Sequence, residues 1–166
     1  MRNSLPLAAA LATLAAVSAC ATKKPVDTTP PTTAVTPTPQ GPVPGSMADF
    51  QASVSDRVYF DYDQYSLRPD ARATLEKQAA WLAKYPAVRV TIEGNADERG
   101  TREYNLALGA RRAAATKDYL VSLGIAPSRI ETVSFGKERP IDPRSNEQAW
   151  ALNRNSHTQI TSGAVS

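Results

Sequence analysis

The chain is poor in the residues that build covalent or metal-stapled sites: its 166 residues include one cysteine, Cys20, and one histidine, His157. A single thiol cannot close an internal disulfide, and one histidine with one cysteine cannot assemble a His/Cys zinc centre. A stapled mini-scaffold and a zinc enzyme are therefore excluded, and neither metal nor cofactor is expected. Charge of one sign is also scarce. Lys+Arg number 19 and Asp+Glu 16, a formal net charge of +3, and the pI is near 9.1. That is too little excess charge, with no basic stripe, for a chain that binds nucleic acid through its field. The length leaves room for one domain of about 100–150 residues plus appendages, not for a two-domain enzyme. The hydrophobic share of 42% suffices for a core and excludes wholesale disorder.

What is present at the N-terminus reads as an address. After Arg2, no charged side chain occurs from Asn3 to Thr22, and Leu5, Leu7, Leu11, Leu14 and Val17 are set among alanines. Such a run has the shape of a secretory signal, whereas Pro6 and the weakly apolar alanines argue against a membrane-spanning helix. The run ends in Val17-Ser18-Ala19-Cys20, which resembles the bacterial lipobox. That resemblance implies cleavage after Ala19, a diacylglycerol on the Cys20 thiol and, with Ala21 in place of aspartate, sorting to the outer membrane. Residues 1–19 are thus expected to be a lipoprotein signal peptide. From Pro25 to Gly45 prolines alternate with threonines; this composition has too few apolar groups and too few N–H donors for helix or sheet. At about 3.1 Å per residue in a polyproline conformation it forms a long spacer. Residues 20–46 are expected to be the lipidated cysteine and a flexible tether, and residues 47–166 the folded domain.

Within that domain, Val58 to Asp63 reads as a strand ending in acidic residues. Pro69 suits the first turn of a helix that carries Ala71, Leu75, Ala79 and Leu82 at helical spacing up to Pro86. Val88, Val90 and Ile92 then alternate with Arg89, Thr91 and Glu93, the pattern of a strand with one buried face. A loop over residues 94–100 leads to a long helix capped by Thr101 and ended before Gly124. Ile130 to Phe135 predicts a third strand, Glu147 to Asn153 a short extra helix, and Thr158 to Ile160 a weak last strand, since Asn153 to Gln159 is more polar than a buried strand should be. The order is β-α-β-α-β with a tail: an α+β fold, a two-layer α/β sandwich with helices on one face of the sheet.

Three segments carry a resemblance. Glu93 to Ala113, reading EGNADERGTREYNLALGARRA, Val58 to Asp63, reading VYFDYD, and Ser134 to Pro140, reading SFGKERP, are similar to the OmpA C-terminal-like domain family, and within it to the peptidoglycan-associated lipoproteins. The lipobox and the Pro/Thr-rich spacer fit the same branch. The resemblance implies a non-enzymatic, lipid-anchored protein of the Gram-negative outer membrane with its domain in the periplasm. The implied partners are peptidoglycan, bound through the diaminopimelate of its stem peptide, and TolB with the rest of the Tol complex, in support of envelope integrity and cell division.

Diaminopimelate presents an ammonium and a carboxylate on one carbon, so its receptor needs an anion and a cation close together. Leu108 and Arg112 are four apart and share a helix face, while Arg111 is rotated by about 100°. By resemblance, Asp97 takes the ammonium and Arg112 the carboxylate, with Asp63, Tyr62, Arg99 and Leu108 lining the pocket. Gly94 and Gly100 are expected to bring the loop backbone close to the ligand. If these residues serve only the ligand, their truncation should leave the thermal midpoint unchanged. Tyr104 and Asn105 read as scaffold, Trp81 and Trp150 as helix residues with packing roles that the site does not need, and His157 as a surface residue. Two other readings compete. One is a secreted peptidoglycan hydrolase with Asp97 and Glu98, or Asp61 and Asp63, as paired carboxylates, although adjacent carboxylates rarely face each other across a scissile bond. The other is a lipid-anchored wall-binding protein of the same family outside the Tol system.

Overall fold

The computed structural model describes residues 41–165; the expected signal peptide and most of the expected tether lie outside the described residues. Among the described residues, no helix is long and apolar enough to cross a membrane. The elements are α1 (Met47–Ser53), β1 (Arg57–Tyr59), α2 (Pro69–Lys84), β2 (Arg89–Asn95), α3 (Arg102–Ser122), β3 (Ile130–Gly136), α4 (Glu147–Asn153) and β4 (Asn155–Ser162), with one 3₁₀ turn at Pro127–Arg129. The α+β class is as expected. Local sequence explains the helix ends: Pro69 is the first residue of α2, the Thr101 side chain accepts from the Tyr104 N–H, and Gly124 takes a φ of +96° just beyond α3.

Helix α1 carries no signal that the sequence reading used; it forms where Ser46 caps it and where Phe50, fully buried, packs edge-on against Trp81 at 4.9 Å between ring centroids. The folded part begins slightly ahead of Met47, because the Gly45 N–H donates to Asp49 at 2.8 Å and the Gly45 carbonyl accepts from the Val165 N–H at 3.2 Å. Strand β1 is shorter than predicted. The chain leaves the sheet at Phe60 and turns, with the Gln64 N–H on the Asp61 carbonyl at 3.2 Å and Asp63 at a φ of +55°. Asp63 is thus a turn residue in the left-handed region, which aspartate tolerates, and not the end of a strand.

The strand order is β1-β4-β2-β3, with β4 antiparallel to both neighbours and β2 parallel to β3. This corrects the weak last strand. β4 has eight residues, lies inside the sheet, and buries Asn155, Ser156, His157 and Thr158. Its polarity is tolerated because distant partners satisfy most of it. The Thr158 hydroxyl donates to Gln78 at 2.8 Å, and the Asn155 carboxamide oxygen accepts from Arg57 and Asn95, each at 3.1 Å. His157, expected at the surface, is 8% exposed and stands between Glu93 (Nδ1 to Oε2, 2.9 Å) and Asp56 (Nε2 to Oδ2, 3.3 Å).

Helices α2 and α3 cover one face of the sheet, α2 over β1 and α3 over β2 and β3. Between them, Leu75, Leu82, Val88, Ile92, Leu120 and Ile130 are almost fully buried, each side chain contributing about 1.5–3 kcal/mol. The two layers touch where Gly94 meets Gly109: a Cβ on Gly94 would lie 1.8 Å from the Gly109 carbonyl oxygen. Gly94 therefore serves helix–sheet contact and not ligand approach, and this contact fixes α3 over the end of β2.

Candidate functional site

All six residues singled out from the sequence line one cleft of about 190 Å³: Tyr62, Asp63, Asp97, Arg99, Leu108 and Arg112, joined by Gly100, Tyr104 and Asn105. The turn after β1 supplies the first pair, the loop after β2 the second, and the first half of α3 the rest. A bulge between Gly94 and Asn95 ends the β2–β3 register and turns the chain into the loop. Gly100, at a φ of +93°, lets that loop enter α3. The Asn105 carboxamide then holds the loop by donating to the Arg99 carbonyl at 2.8 Å, a scaffold role as expected.

Arg112 has no exposed surface and lies beneath the cleft. Its Nε donates to the Gln64 carbonyl at 2.8 Å, Nη1 to Asn95 at 2.8 Å and Nη2 to Asp61 at 3.1 Å, while its Cζ lies 5.2 Å from the Phe60 ring centroid. Three of its five N–H donors thus bolt the turn after β1 to the end of β2, and one remains on each terminal nitrogen. Burial pushes its pKa down to about 10, against the pull of Asp97 and Asp63, so it stays charged at neutral pH. Arg112 is consequently a structural residue as well as a candidate ligand group. The expectation that its loss leaves stability unchanged does not survive this geometry.

Asp97 is 4% exposed. Burial raises its pKa, but hydrogen bonds from Arg99 and Arg154 outweigh that effect and hold the carboxyl below its ordinary 3.8. Its Oδ1 accepts from the Arg99 N–H at 3.1 Å and Nε at 3.2 Å, and its Oδ2 from Arg99 Nη2 at 2.7 Å and Arg154 Nη1 at 3.3 Å. Those four donations fill the acceptor capacity of a carboxylate. An incoming ammonium reaches Asp97 only by replacing one of them. Asp63 is the more open anion: it is exposed and accepts a hydrogen bond from the Tyr104 hydroxyl.

Two residues of this site escaped the sequence reading. Trp150, expected only to pack its helix, stacks on Arg99, whose Cζ lies 4.2 Å from the indole and 4.0 Å from the Tyr62 ring; the Trp150 Nε1–H donates to Glu98 at 2.9 Å. Arg154 binds Asp97 from the junction of α4 and β4. In the sequence the run Asn153-Arg154-Asn155 reads only as part of a segment too polar for a buried strand, yet its arginine sits against the site. No local pattern marks either residue. Tyr104, read as scaffold, stands on the cleft wall.

Residues 59–154 match the OmpA family, and the chain belongs to that family. Among its relatives is the protein named Peptidoglycan-associated lipoprotein of Rhizobium meliloti (strain 1021), 58% identical over 117 residues, which are 70% of this chain and 66% of that relative. In that match the chain spans slightly less than two thirds of the relative's length. The protein of the same name from Mesorhizobium japonicum is 47% identical over 164 residues, 97% of this chain and 94% of the relative. The crystal structure of the peptidoglycan-associated lipoprotein from Burkholderia pseudomallei is 42% identical, with a TM-score of 0.62 over 64% of this chain and 90% of that one.

Proposed function

We propose that the protein is a lipid-anchored component of the bacterial envelope that binds peptidoglycan non-covalently, through the free zwitterionic end of diaminopimelate in the stem peptide. The observation that carries this reading is the meeting, in one cleft, of a buried arginine that stays protonated with two carboxylates, Asp97 and Asp63. A ligand bearing an ammonium and a carboxylate on one carbon matches such a pair, its carboxylate directed to the spare Arg112 donors and its ammonium to the acidic side. Cys20 carries the lipid, the anchor is in the outer membrane, and the chain links that membrane to the wall. As the family resemblance implies, the reading extends to the Tol complex, with TolB as the direct contact and envelope integrity and cell division as the outcome. It is a reading of a binding protein and not of an enzyme.

Co-sedimentation of the full-length protein, in detergent, with purified cell-wall sacculi tests this. The protein should pellet with the sacculi and return to the supernatant when free meso-diaminopimelate is added in excess. Failure to pellet, or pelleting that diaminopimelate does not relieve, refutes the reading; release of soluble wall fragments would favour the hydrolase.

A further inference from the structure

Asp97 is held by two arginines of different character. Arg99 is 29% exposed at its side chain and lies between the Tyr62 and Trp150 rings, a stack along which a guanidinium can slide. Arg154 is 8% exposed at its side chain and fixed on three sides: Nε donates to the Phe60 carbonyl at 3.1 Å, Nη2 to Glu147 at 2.7 Å, and Nη1 to Asp97 at 3.3 Å. One partner of the carboxylate can leave, and the other cannot without breaking contacts to Phe60 and to Glu147 of α4.

We propose that Arg154 is the positioning residue of the cleft: it keeps the Asp97 carboxylate in place and ionised while Arg99 gives way to the ligand's ammonium. This rests on the reading of the cleft as a diaminopimelate site and deepens it. With both arginines bound, Asp97 has no acceptor left for an ammonium. With the Arg99 side chain displaced, the Arg99 main-chain N–H still holds Oδ1, and Arg154 is the remaining side chain that keeps a nearly buried carboxylate from rotating away or taking up a proton. The charged groups around Asp97 are Arg99 and Glu98 in its own loop, Arg112 on α3, Arg154 and Glu147 at α4, and Asp63 in the turn after β1. Of the cations, only Arg99 is both paired to Asp97 and partly exposed.

Two measurements on the full-length protein in detergent test the proposal. The first needs no ligand: carbon-detected NMR titration of the Asp97 carboxyl. Its midpoint should move upward in Arg154→Gln and return part of the way in Arg154→Lys, which restores a point charge without the fork. The second is calorimetric binding of the tripeptide L-Ala-D-Glu-meso-diaminopimelate at neutral pH. Arg154→Gln should lose tenfold or more in affinity and Arg99→Gln far less. Leu82→Ala, a core change that costs stability elsewhere, controls for loosening of the fold and should move neither readout. If Arg154→Gln does not fold, Arg154→Lys, which keeps a cation at the position but loses the fork, takes its place and should give the same shifts at smaller amplitude. An unmoved Asp97 titration overturns the proposal, as does a larger loss in Arg99→Gln than in Arg154→Gln. If the tripeptide fails to bind the unmodified protein, the diaminopimelate reading falls, while the titration still decides whether Arg154 holds Asp97.

Discussion

Arg112→Ala removes a buried cation that joins three backbone carbonyls, those of Asp61, Gln64 and Asn95. Hydrogen bonds from a charged donor are worth about 1.5–3 kcal/mol each, so three represent about 4–9 kcal/mol. Against this stands the cost of burying the charge. The descent of the pKa from 12.5 to about 10 corresponds to roughly 3 kcal/mol, which the truncation returns. The difference centres on about 3 kcal/mol of lost stability and, for a domain of this size, a fall in Tm on the order of 10 °C. Urea and thermal unfolding followed by circular dichroism would measure it, with Arg111→Ala as comparator. Arg111 is exposed, its Cζ 5.7 Å from the Tyr65 ring, and its loss should stay within about 0.5 kcal/mol. Arg112→Lys keeps the charge but not the spread of donors, and should recover less than half of the loss. If Arg112→Ala melts within about 2 °C of the unmodified protein, the carbonyl contacts contribute nothing and the residue serves the ligand alone.

Gly94→Ala drives a methyl group into the Gly109 carbonyl and should destabilise by at least about 3 kcal/mol, read as a lower urea midpoint with an unchanged slope. Asp97 has a folded pKa below its unfolded 3.8, so its contribution is complete above that value and is lost as pH falls through and below it. The stability curves of the unmodified protein and Asp97→Asn should therefore keep a constant gap above about pH 4 and converge as pH falls below it; a gap that does not narrow in acid would refute the assignment. Cys20→Ser should accumulate as an unprocessed precursor that carries residues 1–19, and a free, unacylated Cys20 thiol on the mature protein by mass spectrometry would refute the lipid anchor.

Helices α2 and α3 were legible because their ends are written locally: Pro69 opens α2, Thr101 caps α3 and Gly124 closes it, each acting within one turn of its own position. β2 was legible from simple alternation. β4 was not. Asn155, His157 and Thr158 are buried by virtue of Arg57, Asp56, Glu93 and Gln78, residues far away in the sequence, and no window of neighbouring residues contains that information. The cleft divides in the same way. Its six candidates lay in contiguous motifs, whereas Arg154 and Trp150 arrive from the C-terminal quarter of the chain by tertiary folding alone. The role of Arg112 in stability was hidden too, since its partners are backbone carbonyls and carry no residue-type signal.

The placement of β4 has a consequence for when the domain can exist at all. The strand that separates β1 from β2 comes after the other three along the chain, and its pairing with β1 joins residues as far apart as Arg57 and His157, about 100 positions along the sequence. A growing chain that has not yet produced Arg154 and β4 holds β1 and β2 with nothing between them, and Asp97 with one of its two arginines missing. Closure across so long a loop is slow. The sheet and the cleft thus become complete together, only after β4 has been made, a timetable suited to a protein that, on the proposed reading, must be threaded through a membrane before it folds.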